Sequence, residues 1–174
     1  MISKKIKIYY LLLIGCTIGL LQGCAYSFTG TNLDPAIKTF SIATFPNNSG
    51  NGPATLSQLL TENFRNYFRR NTNLDMLPRN GDLQLEGQIV SYSVSPAAIQ
   101  NQGDQSFAAA NRLTIQVRIN YINTKDPAQN FEKTFSGFAD YPQNVDISQV
   151  ETSLINSISD RMIYEVFNQT VANW

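Results

Sequence analysis

Within Asn111–Asn123, from Arg112 to Tyr121, the chain alternates polar and apolar side chains without a break. Leu113, Ile115, Val117, Ile119 and Tyr121 share one parity, and Arg112, Thr114, Gln116, Arg118 and Asn120 share the other. Successive side chains of a strand point to opposite sides of its sheet, so a strand of this pattern buries one face only. It predicts the interior of a sheet with one packed side and one polar side, the usual condition of antiparallel sheets.

The neighbouring segments read the same way. Phe131–Tyr141 places Phe131, Phe135, Gly137, Ala139 and Tyr141 on one face, after a Thr124–Asn130 turn containing Asp126-Pro127. Asp82–Ser95 alternates Leu83, Leu85, Gly87 and Ile89 with Gln84, Glu86 and Gln88. Its apolar phase then changes face at Val90, Tyr92 and Val94, which predicts a bulge or an exit from the sheet. Lys38–Phe45 reads as an earlier strand, and Leu74–Pro78 as a short extension. Pro96–Ala110 is a long loop with one acid, Asp104, no base and one large apolar residue, Phe107.

Two stretches have helical spacing instead. In Ala54–Arg70 the residues Leu56, Leu59, Leu60, Phe64, Tyr67 and Phe68 recur on one face, with Pro53 suited to the first turn. Arg65, Arg69 and Arg70 fall near its C-terminal end, where they complement the helix dipole. The last helix opens at Ser148, with Glu151 three residues on as a capping box, and carries Val150, Leu154, Ile155, Ile158, Met162, Ile163, Val166 and Phe167 on its apolar face. Each helix has one stripe to bury. The order βαβββα therefore predicts an α+β two-layer sandwich, with two helices packed on one face of a four-stranded mixed sheet. The other face is left polar, for solvent or a partner.

The N-terminus carries a different signal. Lys4, Lys5 and Lys7 precede an uncharged apolar run, Ile8–Leu21, which ends in Leu21-Gln22-Gly23-Cys24. A basic start, a short apolar run and a small residue before the cut mark a secretory signal. The run is shorter than the roughly 20 residues of a comfortable membrane span. We expect residues 1–23 to be cleaved, 24–36 to form a tether and 37–174 to form a single domain.

Composition narrows the function. Cleavage removes three lysines and no acid, so 13 basic residues fall to 10 against 13 acidic ones, a net charge of about −3. That argues against a nucleic-acid partner. There is no histidine, and the two cysteines are Cys16, inside the signal, and Cys24. A zinc site and a Cys/His nucleophile are therefore excluded, no disulfide is available, and no catalytic residue or cofactor is expected. Charged residues make up only 15% of the chain, and Asn, Gln, Ser and Thr supply the polarity. Such a surface can meet another polar wall without desolvating charge.

Leu21-Gln22-Gly23-Cys24 resembles the lipobox of bacterial lipoproteins, with Gln22 in place of the usual small residue. The resemblance implies a diacylglyceryl thioether on Cys24, cleavage after Gly23 and acylation of the new amine. Ala25 is not the aspartate that resembles an inner-membrane retention signal, which favours the outer membrane with the domain facing the periplasm.

Behind the lipobox come Tyr26-Ser27-Phe28, Leu56-Ser57-Gln58, Tyr67 to Leu74, Gly81 to Gly87, Asn123 to Pro127 and Val171-Ala172-Asn173-Trp174. In this order, across nearly all of the mature chain, the sequence resembles the lipopolysaccharide-assembly lipoproteins. The resemblance implies a non-enzymatic outer-membrane lipoprotein. Its partner would be a large β-barrel lipopolysaccharide translocon, which it plugs and helps to assemble while lipopolysaccharide enters the outer leaflet. On that reading the Pro96–Ala110 loop enters the barrel, with Asn101, Gln105 and Phe107 as candidate contacts. Arg65, Arg69 and Arg70 are candidate contacts for lipopolysaccharide itself. The alternative is a periplasm-facing scaffold lipoprotein of another outer-membrane assembly or secretion complex. A periplasmic enzyme is a third class, for which Asp82 and Glu86 form no evident site.

Overall fold

The computed structural model describes residues 33–97 and 110–172. Strand β1 is Thr39–Ile42 and helix α1 is Leu56–Asn71. They are followed by β2 (Asp75–Met76), β3 (Leu83–Ala97), β4 (Ala110–Asn123), β5 (Phe131–Pro142) and helix α2 (Ile147–Thr170). The sheet order is β2-β1-β3-β4-β5, with β1 parallel to both its neighbours and β3, β4 and β5 an antiparallel meander. The sheet has five strands where the pattern predicted four. The fifth is the Leu74–Pro78 extension, reduced to two residues that pair with Thr39 and Phe40.

Both helices lie on one side. Leu113, Ile115, Val117, Ile119 and Tyr121 of β4 are buried under them, and the opposite parity is half-buried or exposed. Leu56, Leu60, Phe64 and Phe68 of α1 are buried too, as are Leu154, Ile155, Ile158, Met162, Ile163 and Val166 of α2. Burying each such side chain contributes about 1.5–3 kcal/mol. For α1 this outweighs its N-terminus, where Thr55 makes no side-chain cap, since a cap contributes only about 1 kcal/mol.

Two local expectations changed on folding, and a third resolved to one of its two alternatives. The first strand ends at Ile42, not Phe45. The Phe45 amide donates to Thr61 Oγ1 at 3.0 Å, and its carbonyl accepts from Ser57 Oγ at 2.6 Å. The helix thus satisfies backbone groups that a strand would have paired. This releases the Phe45 ring onto Gly87, where an added Cβ would lie 2.5 Å from it. The last helix is capped by Asp146, whose Oδ1 accepts the Ser148 amide at 2.9 Å. Glu151 does not complete a capping box; its carboxylate accepts the Tyr92 hydroxyl instead. Finally, β3 does not leave the sheet. A bulge lies between Ile89 and Ser91, and pairing with β4 continues to Ala97–Ala110. The extra residue, Val90, turns Tyr92 onto the buried face occupied by Ile89.

Where the chain enters β1, Asp82 acts as a clamp. Its Oδ2 accepts the Lys38 amide at 2.9 Å, the Thr39 amide at 3.0 Å and the Thr39 hydroxyl at 2.9 Å. Its other oxygen pairs with Lys125 Nζ at 2.9 Å. The Lys38 amide, Lys125 and Thr39 hold its carboxyl far below the ordinary carboxylate range.

Candidate partner-docking face

The sheet face away from the helices carries the polar parity of three long strands. Ser91, Ser93 and Ser95 of β3 pair across Gln116, Thr114 and Arg112 of β4. Those residues in turn pair across Ser136, Phe138 and Asp140 of β5. The middle of the face is therefore a field of hydroxyls and amides.

Its two arginines each sit beside a carboxylate, while Glu86 has only an amide partner. Arg112 donates to Asp140 from Nε at 2.7 Å and from Nη2 at 2.9 Å, a two-point pairing. The same guanidinium lies 4.0 Å from the centroid of the Phe138 ring, which it partly covers. The hydrogen bond from Arg112 holds the Asp140 carboxyl below its usual range. Nearer the other end Arg118 lies 3.7 Å from Glu132, and Asn120 donates to Glu86 at 3.4 Å. A groove of about 270 Å³ runs here between Pro46, Glu86, Gly87, Gln88, Arg118, Asn120 and Glu132. A second, of about 200 Å³, lies where Pro78, Arg79 and Asn80 curl over Ser41 and Gln84.

On the helix side lies a groove of about 400 Å³, lined by Asn63, Asn66, Tyr67, Arg69, Arg70 and Asp160. Arg69 and Arg70 meet there. Arg65 points elsewhere, donating to the Ile42 carbonyl from Nε at 3.2 Å and Nη2 at 3.0 Å, and to Glu62 from Nη1 at 2.9 Å. The structure thus brings together two of the three arginines and uses the third to close the end of β1. Cys24, Asn101, Gln105 and Phe107 lie outside the described residues. The loop of the last three is shorter than expected, because Pro96, Ala97 and Ala110 belong to the strands.

On sequence alone the open face is a generic polar surface, with none of its residues distinguished as contacts. The signal was present in the parity of Asn111–Asn123. The pairings of Arg112 with Asp140 and of Arg118 with Glu132 needed the register of β5 against β4, which sequence spacing alone does not give.

Among the described residues no helix is long and apolar enough to cross a membrane, and no group of three His, Cys, Asp or Glu side chains could hold a metal. No curated protein matches the chain. Among solved structures, CT253, a hypothetical protein from Chlamydia trachomatis, shares the fold at TM-score 0.53 and 5% identity, over 76% of this chain and 95% of that one. A minor lipoprotein from Acinetobacter baumannii is similar at TM-score 0.48 and 14% identity, over 77% and 92%. The rare lipoprotein B of Shewanella oneidensis is similar at TM-score 0.45 and 12% identity, over 74% and 93%. The family model described as LptE, lipopolysaccharide-assembly, matches residues 37–170, from just before β1 to the end of α2. The chain therefore belongs to the LptE family, whose members are non-enzymatic lipoproteins associated with the outer membrane.

Proposed function

We propose that the protein is the plug and assembly partner of a large β-barrel lipopolysaccharide translocon, anchored through a lipidated Cys24 and facing the periplasm. The open sheet face carries this reading. Barrel lumens are polar. A face of Ser, Thr and Gln can exchange water for lumen side chains at small cost, whereas an unpaired charge would cost several kcal/mol to desolvate. Here the face's arginines already sit beside Asp140 and Glu132. The segment that joins β3 to β4, residues 98–109 with Asn101, Gln105 and Phe107, would enter the barrel beside this face. Arg69 and Arg70, on the helix side, are the better placed of the three arginines for phosphates of lipopolysaccharide.

A photo-crosslinker at Gln116 or Phe107 in cells is expected to capture an outer-membrane barrel. Crosslinks to it from Ser157 or Tyr164 on the outer side of α2, with none from Gln116 or Phe107, would show that the helix layer docks instead.

The anchor has its own test. Cys24→Ala should accumulate as uncleaved precursor without palmitate label, because no other residue at the cut can take the thioether. A mature, palmitate-labelled Cys24→Ala protein would remove the anchor from the reading.

A further inference from the structure

We propose a second surface, distinct from the open sheet face: the end of the domain where the tether enters docks on the anionic phospholipid headgroups of the leaflet that holds the acyl chains. The proposal rests on the lipidated Cys24 of the preceding section and adds a specific contact to it.

The argument starts from chain length. Nine residue steps lead from the anchor, Cys24, to the first described residue, Leu33. Fully extended they reach about 30 Å, at roughly 3.3–3.6 Å each. Helix α2 has 24 residues and is about 36 Å long, at about 1.5 Å per residue. The tether therefore reaches no farther than one domain length, which keeps the end it joins within about 30 Å of the bilayer.

That end has a consistent chemistry. The tether leads to Lys38, whose carbonyl accepts the Asp75 amide at 2.9 Å. The last turn of α1 places Arg69 beside Met76, Nη2 to Sδ 3.7 Å. Met76 and Leu77 are each 37% exposed, next to one another on the two-residue edge strand and the residue after it. Arg79 follows them in the turn to β3. Lys38, Arg69, Arg70 and Arg79 are all exposed, and none is in an ion pair among the described residues. Asp160 shares a groove with Arg69 and Arg70, and Glu86 shares one with Arg79, but neither forms an ion pair with them among the described residues, and Asp82 is neutralised by Lys125.

Four unpaired bases around two exposed apolar side chains suit a headgroup layer better than a protein wall. Phosphates meet the bases while Met76 and Leu77 enter the interface. Elsewhere the domain is net acidic, which turns the far end away from an anionic surface. The anchor makes this contact intramolecular, so weak individual interactions suffice. They should also be salt-sensitive, since raising the ionic strength shortens the reach of each charge.

The test uses the mature lipoprotein reconstituted into vesicles of phosphatidylethanolamine, with or without phosphatidylglycerol. Leu77→Cys carries an environment-sensitive fluorophore, and Ser157→Cys, on the outer side of α2, is the control. With phosphatidylglycerol the Leu77 label should shift to the blue and be quenched by brominated lipid. That quenching should fall roughly twofold or more in about 0.5 M salt, and again on combining Arg69→Glu with Arg79→Glu. The salt arm needs no charge variant, so a misfolded one leaves the answer intact. The Ser157 label should stay in water throughout. Protein that floats with the vesicles while its Leu77 label is never quenched overturns the docking but keeps the anchor. A blue shift that persists in detergent without lipid quenching identifies a protein occupant, the tether or a second copy, and also overturns it. Protein that fails to float with neutral vesicles removes the anchor and the docking with it.

Discussion

Ile115→Asp or Val117→Asp is expected to unfold the domain. Both side chains are completely buried in the centre of β4, with β3 on one side and β5 on the other. A carboxylate there has no basic partner among the buried residues, whose polar members are Ser41, Thr61, Asn123, Ser159 and Thr170. An unpaired buried charge costs several kcal/mol, and the lost apolar side chain adds about 2–3 more. The sum approaches the whole stability of a typical domain, about 5–15 kcal/mol. Thr114→Asp, one residue from Ile115, faces the open side between Ser93 and Phe138. There the charge stays solvated, and the expected cost is about 1 kcal/mol, from weaker strand propensity. Thermal or urea unfolding of the three variants checks the facing directly. Equal losses in all three would mean that β4 has no solvated face.

Asp82→Asn is expected to cost about 2 kcal/mol at neutral pH, the range for hydrogen bonds to a charged group. The ion pair with Lys125 adds little to this because it lies near the surface. The substitution removes the anion that holds the Lys38 and Thr39 amides, the Thr39 hydroxyl and Lys125. The sign of the pH dependence follows from the depressed carboxyl. In the unfolded chain an aspartate protonates near about pH 3.9. The folded state keeps Asp82 ionised to a much lower pH. Its contribution is therefore fully present above about pH 5 and drains away as the pH falls through 4 towards 2. Wild type should lose stability across that acid window, and Asp82→Asn should start lower and lose less. Denaturant unfolding at pH 7, 4 and 3 distinguishes this; parallel curves for the two proteins would show that Asp82 is not the group responsible.

Much of this molecule follows from two periodicities. The strict alternation of Arg112–Tyr121 names both faces of β4. The helical spacing of Leu56 to Phe68 and of Leu154 to Phe167 says which sides of the helices are covered. A period is a local property, decided by the geometry of each backbone type, so it survives without knowledge of neighbours. The phase change at Val90 belongs to the same class: it predicted a bulge or an exit, and the bulge is present because it keeps Tyr92 under the helices.

What depended on residues far apart in the chain was decided only by folding. Phe45 left the strand because Ser57 and Thr61, 12 and 16 residues on, satisfy its backbone. Glu151 was drawn from its cap by Tyr92, 59 residues away. Arg65 was separated from Arg69 and Arg70 by the Ile42 carbonyl. The ion pairs of the open face and the cluster at the tether end arise from strand register and from the pairing of β1 with β2. Those contacts are set by which groups the fold brings within hydrogen-bond reach, and hydrogen bonds and ion pairs act over a few ångströms of space whatever their separation along the chain.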